Sequence, residues 1–186
     1  MEECYPPHFG RDFFENLQPF PTQLRFEIVE ARNVSARMRQ AWNEAASNPV
    51  GVTVTAAGAR DASEIEPVLT AFARESSGGV IVAPSPITTF RRELIITLAR
   101  QLTLPAIYPF RYFPKSGGLV SYGIDQMEQV SGGASYVDRV LRGENPGELP
   151  VQLPTRYELA VNLKTAKALG LKIPESFLLR ADEVIE

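Results

Sequence analysis

One cysteine, Cys4, and one histidine, His8, are all the thiol and imidazole groups in 186 residues. A lone thiol excludes an intramolecular disulfide and any zinc site built from several cysteines at fixed spacing, and it leaves the redox compartment open. A single histidine in an irregular stretch argues against Ser-His-Asp or Cys-His catalysis, which needs a base held against its nucleophile. No uninterrupted apolar run reaches the roughly 18 residues needed to cross a bilayer. Positive charge is not in excess: 19 Lys and Arg against 22 Asp and Glu give a net charge of −3. The basic side chains are scattered, so the face that would bind nucleic acid is missing. The first 21 residues, MEECYPPHFGRDFFENLQPFP, contain no basic segment leading into an apolar one, and no secretory signal is expected there. Nor is there a GxGxxG after a strand or a GxxxxGK[ST] loop; Lys115, Ser116, Gly117 and Gly118 have the residue types of the latter in the wrong arrangement. No cofactor, no metal and no bond-breaking chemistry are expected.

What is present is an ordinary globular composition, 44% hydrophobic and 22% charged, at a length that suits one well-buried domain with an appendage. Residues 1–22 are rich in aromatics and proline without a steady period and read as an irregular lead-in. Leu24, Phe26 and Ile28 alternate with charged residues as a strand at or near a sheet edge. Asn33 can cap a helix carrying Val34, Met38, Ala41, Trp42 and Ala45; Val50, Val52 and Val54 predict a second strand. Ser63 with Glu66 forms the capping-box pattern of a second helix.

After Gly78 and Gly79, residues 80–83 form a continuous apolar run of the kind buried on both faces of a sheet. Ser85 as cap and Pro86 at the first helical position then start a third helix, with Ile87, Phe90, Leu94, Ile95, Leu98 and Leu102 on one stripe. Fourth and fifth strands are predicted at residues 105–108 and 119–122. Asp125 and Glu128 cap a further helix with an inner stripe of Met127, Val130, Ala134, Val137 and Leu141; Gly132 and Gly133 in its middle predict close packing against the sheet. A proline-rich crossing segment follows, then a strand at 157–161, a short helix at 163–169 and a last helical turn at 174–179. The fold class expected is α/β, an open and mostly parallel sheet flanked by helices.

In such sheets ligands bind at the carboxyl ends of the strands. Three strand ends, in VIVAPSPITTF, LPAIYPFRYF and GGLVSYGID, break into polar and aromatic residues within 80–125. Tyr108, Phe110 and Tyr112 can stack on a planar ligand while Arg111 grips a carboxylate; equally, the aromatics can plug the sheet's end while Arg111 pairs with an acid such as Asp125. Ser85 and Thr88 either donate to a ligand anion or cap their helix, and Asp125 is explained by capping alone. The residues themselves leave site and core open.

The close of the chain, LPVQLPTRYELAVNLKTAKALGLKIPESFLLRADEVIE, resembles the substrate-binding protein family of bacterial ABC importers related to tryptophan and aromatic amino-acid binders. The resemblance continues upstream through GGVIVAPS, LPAIYPFRYF, GGLVSYGID and YVDRVLRGENPGELPVQ and fades before Asn33. It implies a type I periplasmic-binding-protein fold, two parallel α/β lobes around a cleft, here a single lobe with flavodoxin-like strand order and most of the first lobe lacking. By that resemblance the ligand-binding residues are Ser85, Thr88, Tyr108, Phe110, Arg111, Tyr122 and Asp125, and the partners are a small, aromatic or carboxylate-bearing solute and an ABC permease. The alternatives are a truncated scaffold that oligomerises without ligand, or a small α/β enzyme. The location implied is periplasmic, or cytoplasmic if Met1 is the natural start. Residues 23–148 form the binding lobe in this reading. Residues 149–186 are the crossing strand and a strand and helix whose sheet belongs to the missing lobe. An edge left open in that way invites pairing with a second copy or docking on the chain's own sheet, so a homodimer or a swapped arrangement is expected.

Overall fold

The computed structural model describes residues 25–31, 53–59, 61–75 and 78–186. The expected lead-in at 1–22 and the helix capped by Asn33 lie outside them. Five strands run parallel: β1 (Arg25–Ala31), β2 (Thr53–Ala59), β3 (Gly78–Val82), β4 (Ala106–Tyr108) and β5 (Val120–Ile124). β6 (Tyr157–Asn162) runs antiparallel beside β5, and β7 (Glu183–Ile185) lies parallel to β6. The order across the seven-stranded sheet is β2-β1-β3-β4-β5-β6-β7, so the first predicted strand is second from the edge. Gly78 and Gly79 belong to β3 rather than to the turn before it.

Alternation along the strands sorts the core into two layers. Val80, Val82, Ala106 and Tyr108 pack with α1 (Ala62–Glu75) and α3 (Arg92–Gln101) through Ile65, Leu69, Ile95 and Leu98. Ile81, Ile107, Val120, Leu159 and Val161 pack on the other side with α6 (Leu163–Ala168) and α7 (Glu175–Leu178), which supply Ala166 and Phe177. The strand at 157–162, expected to need a sheet outside this chain, is therefore bonded here on both sides, to β5 and to β7. Of the two outcomes expected for it, it has docked on the chain's own sheet, and β7 is the outermost strand on that side.

Helix starts follow the polar residues, with changes of detail. Asp61, rather than Ser63, is the capping acceptor of α1, taking the Ser63 N–H at 2.8 Å. The single helix expected after Ser85 is two, α2 (Pro86–Phe90) and α3, separated at Arg91 where φ is −104° and ψ 22°. That break resets the helical phase, and Phe90, expected on the inner stripe, is 82% exposed.

The larger correction concerns α5 (Gln126–Leu141), the helix after β5; α4 (Tyr112–Lys115) is a single turn before that strand. None of the residues of α5 is buried. Its expected inner stripe faces outward, with Met127, Val130, Val137 and Leu141 all exposed. Gly132 and Gly133 do not lie against the sheet: a Cβ on either would meet nothing within 4 Å. Glycine inside a helix costs roughly 1 kcal/mol relative to alanine. Gly132→Ala therefore stabilises the protein by about 1 kcal/mol, read as a higher midpoint in urea; a loss of stability instead would mean that this face is covered.

Candidate functional site

The carboxyl ends of β3, β4 and β5 place residues 83–86, 109–111 and 124–125 along one edge of the sheet. Because β6 is antiparallel, its first residues, Tyr157 and Glu158, arrive at the same edge with Arg156 just before them. The strand order reverses direction at β1, between β2 and β3, the switch point where open α/β sheets leave their crevice. Ser85 stands on the β3 side of it.

Ser85 and Thr88 form a complete capping box. The Ser85 Oγ accepts the Thr88 N–H at 3.2 Å, and the Thr88 Oγ1 accepts the Ser85 N–H at 3.1 Å. Thr88 also donates to the Ala83 carbonyl at 2.8 Å and is completely buried. Its hydroxyl holds β3 to α2 and presents nothing to a ligand.

Four aromatic rings form a row from the core to the surface: Tyr108 stacks on Phe113 at 4.9 Å, Phe113 on Tyr112 at 5.0 Å, and Tyr112 on Phe110 at 5.4 Å. The inner end is sealed. Tyr108 is 2% exposed and Phe113 fully buried, and burial pushes the Tyr108 phenol well above its usual pKa. Tyr108, expected among the ligand-binding residues, is a core residue. The outer end is not sealed, since Phe110 and Tyr112 are half-buried, with the Arg92 guanidinium 5.9 Å from the Tyr112 ring centre. Lys115, Ser116, Gly117 and Gly118, which have the residue types of a phosphate loop, form the turn that closes this row. A Cβ at Gly118 would sit 2.7 Å from the Tyr108 ring.

Arg111 does pair with an acid, but not with Asp125. Its Nη1 lies 3.3 Å from the Oε1 of Glu158, 47 residues away. Asp125 instead caps α5, accepting the Met127 and Glu128 N–H groups at 2.8 and 3.3 Å, and its Oδ2 lies 3.6 Å from Arg156 Nε. The capping box expected there is only half formed. Glu128 turns to β6, accepting from Thr155 Oγ1 at 2.7 Å and Arg156 N–H at 3.0 Å, while the Asp125 N–H donates to the Arg156 carbonyl. These bonds latch the start of α5 to the start of β6.

Strand alternation divides the edge between the two faces of the sheet. Glu158, opposite Gly123, shares a face with the loop at 109–111 that carries Phe110 and Arg111. Tyr122 and Tyr157 lie on the other face, half-buried and stacked at 5.6 Å. The structure thus brings Ser85, Phe110, Arg111, Tyr122 and Asp125 to one edge and withdraws Thr88 and Tyr108 from it. It adds Arg156, Tyr157 and Glu158, whose only signal in the sequence is a charged and aromatic opening to the run RYELAVN. A small cavity of about 10 Å³ lies elsewhere, lined in part by Leu104, Tyr108, Gly118 and Leu169, and has room for no more than a water.

Such an edge, with accessible rings and charged groups converging on strand ends, lies where open α/β sheets take their ligands. The chain belongs to the ABC transporter substrate binding protein family, whose model matches residues 29–185. Among solved structures it is similar to a conserved domain protein from Vibrio cholerae O1 biovar El Tor, at 22% identity and a TM-score of 0.83 over 96% of this chain and 60% of that one. It is also similar to an ABC domain from Streptococcus pneumoniae solved in complex with L-Trp, at 21% identity and a TM-score of 0.82 over 94% of this chain and 58% of that one. A ligand-free, open substrate-binding protein with adhesive properties from Clostridium difficile follows at 16% identity and a TM-score of 0.63, over 95% of this chain and 57% of that one. The chain spans about three-fifths of the length of these relatives. No curated protein matches it.

Proposed function

We propose that this edge is one wall of the solute site of an ABC importer's binding component, and that the solute is a small aromatic molecule bearing a carboxylate, held without bond-breaking. The observation that carries the reading is the pairing of a half-buried ring, Phe110, with a neighbouring guanidinium, Arg111, whose side chain is 49% exposed. A planar apolar surface beside a fork of N–H donors suits an aromatic acid. The relative solved with L-Trp supports the class, and family membership supports a permease as the partner and a place of work outside the cytoplasm.

If a two-lobed site holds its solute with about −12 kcal/mol, a wall offering half the contacts retains about −6 kcal/mol, a dissociation constant of tens of micromolar. Calorimetric titration with L-tryptophan, L-phenylalanine and indole-3-propionate at millimolar concentration is expected to show binding in that range, weakened tenfold or more by Arg111→Ala. Absence of binding by every aromatic acid would replace this reading with a scaffold that takes no ligand.

A further inference from the structure

We infer that the exposed apolar face of α5 is an interface for a second copy of this chain, the two helices packing antiparallel about a two-fold axis near Ala134. The inference does not depend on the solute-binding reading.

α5 is attached by its polar side. Glu128 bonds Thr155 and Arg156, the Tyr136 hydroxyl donates to the Pro150 carbonyl, and Arg139 pairs with Glu144. At 3.6 residues per turn these three side chains share one side of the helix. Met127, Val130, Ala134, Val137 and Leu141 lie on the opposite side, and all are exposed. A surface helix ordinarily does the reverse, burying its apolar stripe and turning its polar side to water. With Val140, also exposed, this face offers roughly 500 Å² per copy, or about 1,000 Å² for a pair, which reaches the size of a specific interface.

The shape of the stripe selects the occupant. Its steps of three, four, three and four residues make the narrow seam that packs against another helix, not the wider stripe of a helix laid on a core. The seam is centred on Ala134, whose small side chain lets two helix axes approach closely. A two-fold axis there sets Met127 against Leu141 of the second copy and Val130 against its Val137. Gln126, Ser131, Gly133 and Val140, which flank the seam, carry no charge, and Asp138 is engaged by Arg142 at 2.9 Å. No like charges therefore oppose the pairing. Glu128 lies in the first turn and Arg139 in the last, so antiparallel packing brings the acidic end of each helix beside the basic end of the other, with the helix dipoles opposed. Gly132, opposite the stripe, stays outside the seam.

Sedimentation velocity on the full chain, over a series of micromolar concentrations, is expected to show a dimer of twice the 20.6 kDa chain mass. Val137→Glu and, separately, Leu141→Lys put a charge into the seam at positions that are exposed in the single copy. Each is expected to raise the dimer dissociation constant at least a hundredfold, with the circular dichroism of the unmodified chain. Cross-linking tests the orientation independently. In a Cys4→Ser background, mild oxidation of Met127→Cys mixed with Leu141→Cys should give the mixed disulfide in excess over either like pair. A chain that sediments as a monomer throughout overturns the inference and gives the face to a partner of different sequence. A dimer that survives both charged variants, or preferential linking of like chains, overturns it as well.

Discussion

Gly123→Ala lowers the stability of the protein by roughly 3 kcal/mol and abolishes binding at the strand edge. An alanine Cβ at this position would stand 1.9 Å from the Pro109 carbonyl oxygen and 3.0 Å from its carbonyl carbon. Backbone atoms cannot rotate out of the way as the end of a long side chain can, so the clash is relieved only by moving the loop or the strand. β5 is fixed by ladders to β4 and β6, and the loop at 109–111 is the part that yields. It carries Phe110 and Arg111, which leave their places opposite Glu158 as it shifts. Urea unfolding followed by circular dichroism measures the first effect and titration with L-tryptophan the second. A loss below about 0.5 kcal/mol, the range of ordinary surface changes, would show that loop and strand stand further apart. The same substitution at Gly132, on the open face of α5, changes stability in the opposite direction, and the contrast isolates the contact with Pro109.

Much of this architecture is legible in the sequence because its causes are local. The apolar run at 80–83 and its successors are strands because both faces of the sheet are covered. Ser85 with Pro86, and Asp125 ahead of its helix, announce helix starts through backbone N–H groups that need an acceptor. The misreadings fall where the deciding group is distant in sequence. The stripe on α5 is a true amphipathic pattern, and a pattern says that a face is apolar, not what covers it. Arg111 finds Glu158 only because β6 returns antiparallel and brings its first residues to the carboxyl edge of β5, a topology that residues 157–162 do not encode by themselves. Tyr108 and Phe110 are two residues apart in one aromatic cluster, and only packing decides that one is core and the other half exposed. The requirement at Gly123 is also invisible locally, although a glycine inside a strand hints at a close backbone approach.

Asn162→Ala is expected to cost roughly 2–3 kcal/mol, from the loss of a helix cap at about 1 kcal/mol and of a bond to a buried carbonyl at about 1–2 kcal/mol. Asn162 is 5% exposed. Its Oδ1 accepts the Thr165 N–H at 3.0 Å and so caps α6, while its Nδ2 donates to the Pro114 carbonyl at 2.8 Å. Thr165 reinforces the joint by donating from Oγ1 to the Gly117 carbonyl at 2.9 Å. The turn from β6 into α6 is thereby fastened to the turn from α4 into β5, 48 residues earlier. Asn162→Ser keeps a capping oxygen but is too short to reach Pro114, so it recovers about 1 kcal/mol of the loss; equal costs for the two variants would mean that the cap contributes nothing. The joint lies at the far end of β6 from Glu158, about 14 Å away at the rise of an extended strand. The molecules of Asn162→Ala that remain folded should therefore bind L-tryptophan as the unmodified chain does. Gly123→Ala and Asn162→Ala have similar stability costs and opposite consequences for the solute. Loss of binding in both would mean that solute affinity follows global stability, whereas loss in Gly123→Ala alone locates the site at the 109–111 loop.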